Sequence, residues 1–284
     1  MKSFCIKTNN TQVQKFLLNK LSCIAFEDIY YINRQFKIYN NIIIHYKGCN
    51  INDFLVILAD LIADCILSNY ETILIRRSIN LNYFYFDEFE KKMIEETCFS
   101  HITSGDDDTL KFRKNEISQE VLHYISNNKY MILDGFVNFR LENYNKTLDE
   151  VVDYSVNKYV IEKEYNEFIS LLKLYIDSKE PSVDLVHLVY TGGESILLDK
   201  DRNIISLSED IFNTKYLSDI SFSSNDYALN ALLTLLPKKI EIHIIGYEDE
   251  FINTLKLIFD SRISICNNCN ICRTYRVLNN TNNM

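Results

Sequence analysis

Three cysteines near the end of the chain have a spacing that suits metal chemistry. Cys266, Cys269 and Cys272 form a C-x2-C-x2-C motif, directly after a segment that predicts a β-strand. A tight turn with this spacing can direct several thiolates at one ion, and thiolates suit zinc or iron–sulfur centres. Zinc is the first expectation. An iron–sulfur cluster is the second, because a bacterial ferredoxin motif begins in the same way but continues to a fourth cysteine and a proline.

A closed tetrahedral zinc site needs a fourth ligand from elsewhere in the chain. His243 is the best candidate, since it lies on a predicted strand that is expected to neighbour the strand before Cys266. Weaker candidates are Cys5, Cys23 and His187. A closed site of this kind would be structural, because it would tie the end of the chain to the preceding strands.

Two other interpretations of these cysteines stay open at this point. Cys266 and Cys269 could form a redox-active pair with a lowered thiol pKa. Alternatively, the thiols could be packed or exposed without any chemical role. His243 by itself, between two isoleucines, is typical of a core or half-buried strand histidine.

The remaining sequence contains no complete catalytic motif. Residues 191–195 read TGGES, which lacks the Lys-Ser/Thr of a phosphate loop and the last glycine of a nucleophile elbow. A hairpin turn is therefore predicted there. HExxH, Walker A and GxGxxG motifs do not occur, so the sequence favours a protein that is not an enzyme.

Hydrophobic patterning predicts the elements that position the cysteines. The expected strands of the last third are residues 183–190, 195–198, 203–207, 239–245 and 263–266, and the expected helices are residues 226–236 and 248–259. A helix between the last two strands favours a parallel pair. The polar residues 279–284 predict a disordered tail.

Residues 130–177 have apolar side chains at helical spacing, with one glycine and no proline. They predict two or three helices in series, with breaks near Gly135 and residues 143–146.

Near the start of the chain, residues 3–7, 23–31 and 36–46 predict strands, with a turn near Asn33 and Arg34, and residues 11–20 predict a helix. Asp60 and Asp64 interrupt the most apolar window, which argues for a core helix and against a membrane span.

Together these patterns predict an α+β fold, with a helical middle between an N-terminal α/β segment and a C-terminal α/β domain that ends in a cysteine-rich turn. The expected domains are residues 1–103, 104–180 and 181–284, with the first boundary in the polar run of residues 104–109.

The net charge of −9 argues against a nucleic-acid partner. No signal peptide is expected, and eight scattered cysteines fit a cytoplasm with reduced thiols.

Several segments resemble the YtxC-like family of sporulation proteins. They are LDEVVDYSVNKYVIEKEYNEFISLLKLYIDSKEP at residues 148–181, VDLVHLV at 183–189, PKKIEIH at 237–243 and SICNNCNIC at 264–272. The resemblance implies a cytoplasmic protein of a sporulating cell, and it implies no particular chemistry.

The leading functional hypothesis is a non-enzymatic factor of sporulation that acts through contacts with other proteins and has a metal-stabilised C-terminus. The alternative is a zinc or iron–sulfur protein with redox or enzymatic activity at Cys266–Cys272. The oligomeric state is left open.

Overall fold

A computed structural model describes residues 2–23, 28–104, 107–205, 223–266 and 268–282. The chain forms two compact units, the N-terminal unit Met1–Ile161 and the C-terminal unit Glu162–Met284. The division into three domains stays a prediction, because compact packing and independent folding are different properties.

The N-terminal unit contains a four-stranded sheet of β1 (Lys2–Thr8), β2 (Ile29–Gln35), β3 (Asn40–Tyr46) and β4 (Tyr130–Ile132). The strand order is β2-β3-β1-β4, with β1 antiparallel to β3 and parallel to β4. Alternate residues of β1 and β3 are buried, as expected for a sheet with one face on the core.

Helices supply most of the N-terminal core. They are α1 (Thr11–Cys23), α2 (Ile51–Asn69), α3 (Glu71–Asn82), α4 (Glu88–Thr103), α5 (Asp107–Asn127), α6 (Leu133–Phe139) and the first part of α7 (Glu142–Asp177). The apolar stripe of α2 is buried together with apolar side chains of the sheet and of α5. Across the described ranges, every helix is too short or too polar to cross a membrane.

The C-terminal unit contains the second sheet, of β5 (Val183–Tyr190), β6 (Ser195–Leu198), β7 (Pro237–Ile244) and β8 (Ile263–Ile265). Its order is β6-β5-β7-β8, in which β5 and β6 form an antiparallel hairpin and β7 is parallel to both β5 and β8. Gly192 has a positive φ of 77° in the hairpin turn, a conformation that glycine adopts without strain. The α+β class, the hairpin and the parallel pair are thereby confirmed.

The two faces of this second sheet have different partners. Ile240 and Ile242 of β7 share one apolar core with α8 (Ser224–Leu235) and α9 (Glu250–Phe259). The odd-numbered residues of β5 and β7 point to the other face of the sheet. The helix α10 (Asn270–Asn282) packs against that face. Since successive strand residues point to opposite faces, His187 and His243 both lie on the α10 side.

The central stretch forms two helices in series, as expected, but the expected positions of the breaks are displaced. Gly135 lies inside α6, and residues 143–146 lie inside the first turns of α7, which runs unbroken for 36 residues. The break falls between α6 and α7 instead. A glycine costs a helix only about 1 kcal/mol, and the neighbouring Phe136 and Val137 are buried, so packing outweighs the glycine.

Three boundaries near the chain ends also differ from the expectation. Asn33 and Arg34 lie within β2, and the turn follows it, where the Phe36 N–H donates to Tyr39 O at 3.0 Å. The predicted strand at residues 23–31 overlaps the end of α1, and its residues 24–27 lie outside the described ranges. The expected disordered tail is helical to residue 282, as part of α10.

Of the predicted strand at residues 203–207, Ile204 forms one isolated bridge with Leu198. Residues 206 and 207 lie outside the described part of the chain. Residues 105 and 106 of the expected boundary loop are also outside it, and α5 already begins at residue 107.

Candidate metal centre

Three neighbouring elements of the C-terminal unit place the cysteines beside His243. Cys266 follows β8, and its N–H donates to Ile242 O on β7 at 2.8 Å. Cys269 directly precedes α10, and Cys272 lies in the first turn of that helix. The motif therefore bridges the end of the sheet and the start of the last helix.

The four potential ligand atoms lie within 4.8 Å of one another. His243 Nδ1 is 3.4 Å from both Cys269 Sγ and Cys272 Sγ. Cys272 Sγ is 3.8 Å from Cys266 Sγ and 3.9 Å from Cys269 Sγ. Zn–S bonds of about 2.3 Å and Zn–N bonds of about 2.0 Å in a tetrahedron separate two sulfurs by about 3.8 Å and a sulfur and a nitrogen by about 3.5 Å. The four separations given above match these edges, and the remaining two are within 4.8 Å.

The surroundings of the cluster are largely apolar. His243 is 1% exposed and Cys272 is fully buried, whereas Cys266 and Cys269 are half-buried. Val189, Leu198 and Ile271 form a small apolar cluster against which Cys269 packs. The sulfur separations are far longer than the 2.05 Å or so of a disulfide bond, so the thiols are free.

The thiols at this site differ in acidity. Burial, followed by the two neighbouring thiols, raises the pKa of Cys266 to about 12. Burial also acts to raise the pKa of Cys269, but backbone N–H groups of Cys272 and Ile271 at the start of α10 stabilise its thiolate and lower the pKa overall. A divalent cation would favour the thiolate form at every ligand position.

His243 contacts a second histidine through the ring nitrogen that faces away from the cysteines. His243 Nε2 is 3.0 Å from His187 Nδ1, and Glu241 Oε2 is 3.3 Å from that same His187 atom. Burial lowers the pKa of both histidines, and the proximity of His187 lowers that of His243 further. Both rings are therefore neutral near pH 7, and neutral imidazole is the form that binds metals.

The structure brings Cys266, Cys269, Cys272 and His243 together. His187 contacts Nε2 of His243, on the side of the ring away from the sulfurs, and is not itself among the sulfurs. Cys5 is on β1 and Cys23 ends α1, both in the N-terminal unit. Glu241 was not singled out from the sequence. The available signal was its spacing of two residues from His243, which places both side chains on one face of a strand.

Sequence comparison relates the chain to a known protein family. The model of the YtxC-like family matches residues 56–264, which include His243 and end two residues before Cys266. The "Uncharacterized protein YtxC" of Bacillus subtilis (strain 168) is 25% identical over 194 residues, covering 66% of this chain and 68% of that protein. No solved structure matches. The family model matches well over half of the residues of this chain. The chain therefore belongs to the YtxC-like family.

Proposed function

We propose that His243, Cys266, Cys269 and Cys272 bind one zinc ion, and that this ion has a structural role. The observation that carries the proposal is that four of the six separations among the ligand atoms match the edges of one zinc tetrahedron, while the other two are within 4.8 Å. An iron–sulfur cluster requires ligands spread around several metal atoms, which this compact arrangement does not provide. Four protein ligands would leave no open position for a substrate or water, as is typical of structural zinc.

Metal analysis of protein purified without oxygen tests this proposal. We expect one zinc per chain in the wild type and a large loss of zinc in Cys269→Ser, because a hydroxyl is a poor substitute for a thiolate. Cys49→Ser is the matched control, since Cys49 is an exposed thiol of the N-terminal unit. A colourless wild-type protein without metal would contradict the proposal. A brown protein with iron and sulfide would instead support the redox alternative.

We further propose that the protein is a non-enzymatic factor that acts through contacts with other proteins in the cytoplasm of sporulating cells. The cellular context rests on the sequence resemblance to the YtxC-like family described above, and the lack of a complete catalytic motif supports the non-enzymatic role. Exposed aromatic side chains support protein contacts. Phe84, Tyr85 and Phe89 lie close together in sequence after α3, and each is at least 64% exposed. Neighbouring exposed apolar residues often mark interaction sites.

A pull-down from sporulating cells tests the interaction role. The tagged wild-type protein should retain a specific partner that Phe84→Asp/Phe89→Asp retains much less well, because charge opposes burial of this surface. Leu110→Asp/Phe112→Asp is the control, since both residues are exposed on a different helix of the same unit. Equal recovery by all three proteins would contradict a role for the aromatic residues. Turnover of a small molecule by purified protein would contradict the non-enzymatic role.

A further inference from the structure

Coordination through Nδ1 determines where the proton of His243 must be. A neutral imidazole has one N–H and one lone pair, so a ring that binds a cation through Nδ1 carries its proton on Nε2. In this structure Nδ1 is the atom that faces Cys269 and Cys272. The ring is 1% exposed, so its Nε2–H needs an acceptor within the protein.

His187 is placed to be that acceptor. Its Nδ1 lies 3.0 Å from His243 Nε2, a normal hydrogen-bond distance, and its own side chain is largely buried. The pairing of β5 with β7 fixes this contact, since it sets His187 directly opposite Glu241 and places His243 two residues further along β7. The acceptor is therefore held by the sheet and not by a loop.

We infer that His187 is a positioning residue for the metal ligand, accepting the Nε2 proton of His243 at Nδ1 and so keeping the His243 lone pair directed at the three thiolates. This inference rests on the proposed zinc site. Glu241 Oε2 lies 3.3 Å from the same His187 Nδ1. A proton on that nitrogen would be donated to the carboxylate and His187 could not then accept from His243, so the inference requires the His187 proton to be on Nε2. Outer hydrogen-bond partners of this kind change metal affinity by about 10- to 100-fold.

One competing arrangement uses the same atoms. The possible ligand atoms of His187, Glu241 and His243 also lie within 4.8 Å of one another, so the three could hold a second cation. His243 would then bind two ions and lose the one ring proton of its neutral form. A hydrogen bond to His187 requires no such loss, and it satisfies the ring with the single proton that a neutral histidine carries.

The test titrates metal-free, full-length protein with Co²⁺ and then with Zn²⁺ against a competing chelator. His187→Phe removes the acceptor and keeps a planar ring, whereas His187→Asn supplies a carbonyl oxygen that can accept the same proton. We expect His187→Phe to lower the affinity for both metals by about 10- to 100-fold without changing the stoichiometry of one per chain. His187→Asn should recover most of this loss. His123→Phe, an exposed histidine on α5, is the control for the substitution itself.

A nitrogen-15 NMR measurement of the zinc-loaded protein reports the proton directly. We expect a slowly exchanging His243 Nε2–H in the wild type and His187→Asn, and a rapidly exchanging one in His187→Phe. Unchanged affinity and exchange in His187→Phe, with zinc bound to the wild type, would overturn the inference and leave the zinc proposal intact. Equal losses in His187→Phe and His187→Asn would indicate packing instead, and two metals per chain would indicate the second cation. Absence of metal from the wild type would overturn both proposals.

Discussion

Replacement of Cys272 by alanine is expected to make the C-terminal unit insensitive to zinc and to destabilise it strongly. A ligand that binds only the folded state stabilises it by about 4 kcal/mol when its free concentration is a thousand times Kd. Cys272 is fully buried and its Sγ lies 3.4 to 3.9 Å from all three other ligand atoms, so its loss opens the centre of the site. We therefore expect the free energy of unfolding of this unit to fall by about that amount in zinc-containing buffer.

The effect should be largest at the end of the chain. β8 has only three residues. Among the described side chains of α10, Ile271 and Cys272 are the buried ones. Such a small apolar anchor stabilises a helix weakly without the metal. Hydrogen exchange in α10 and β8 should therefore accelerate both in Cys272→Ala and in wild-type protein treated with a chelator.

Cys98→Ala is the matched control for this experiment. Cys98 is equally buried but lies in the core of the N-terminal unit, far in sequence from Cys266, Cys269 and Cys272. Its replacement should cost about 1 kcal/mol through the lost packing, and this cost should be independent of zinc. A wild-type unfolding midpoint that does not respond to zinc or chelator would contradict a structural metal site.

The C-terminal unit was predictable because its local signals agree with its packing. Gly192 and Gly193 mark the hairpin, and Pro237 begins β7 just after the end of α8, so the sequence itself indicates these limits of the strands. The identity of His243 as the fourth member of the cluster followed from the expected pairing of its strand with the strand before Cys266. The position of His187 behind His243 did not follow, because it depends on the exact register of β5 against β7.

The N-terminal unit was harder to predict because distant contacts determine its elements. β4 has three residues and exists by pairing with β1, about 125 residues earlier in the chain, and no periodicity can be read from so short a segment. Asn33 is a typical turn residue, yet it and Arg34 continue a strand at the edge of the sheet, where one side of the backbone has no neighbouring strand in the described residues. Tertiary pairing overrides local preference at both places.

A buried ion pair in the N-terminal unit gives the second prediction with a large effect. Arg113 of α5 donates to Glu71 at the start of α3, and the hydroxyl of Tyr144 on α7 donates to the same carboxylate oxygen. The side chains of Arg113 and Glu71 are 9% and 14% exposed. Burial and the nearby Glu71 raise the pKa of Tyr144, so this hydroxyl keeps its proton and remains a donor.

Arg113→Met should lower the free energy of unfolding of the N-terminal unit by about 3–5 kcal/mol, because it leaves the Glu71 carboxylate buried without its cation. Adding Glu71→Gln should restore a substantial part of that loss, since an amide oxygen still accepts from Tyr144 and carries no charge. Urea unfolding followed by circular dichroism, with hydrogen exchange in α3 and α5 to assign the transition, measures both effects.

Arg76→Met provides the comparison, because Arg76 binds Glu95 through two contacts of 2.8 and 2.9 Å but its side chain is 61% exposed. Water solvates the Arg76 guanidinium, whereas the Glu95 side chain is 16% exposed, so this pair contributes less than one with a buried cation and Arg76→Met should cost much less than Arg113→Met. The same chemical substitution thus has a small cost at the surface and a large one in the core. Equal and small effects of Arg76→Met and Arg113→Met would mean that water or another cation reaches Glu71 when Arg113 is removed, and that desolvation of this carboxylate does not govern the stability of the unit.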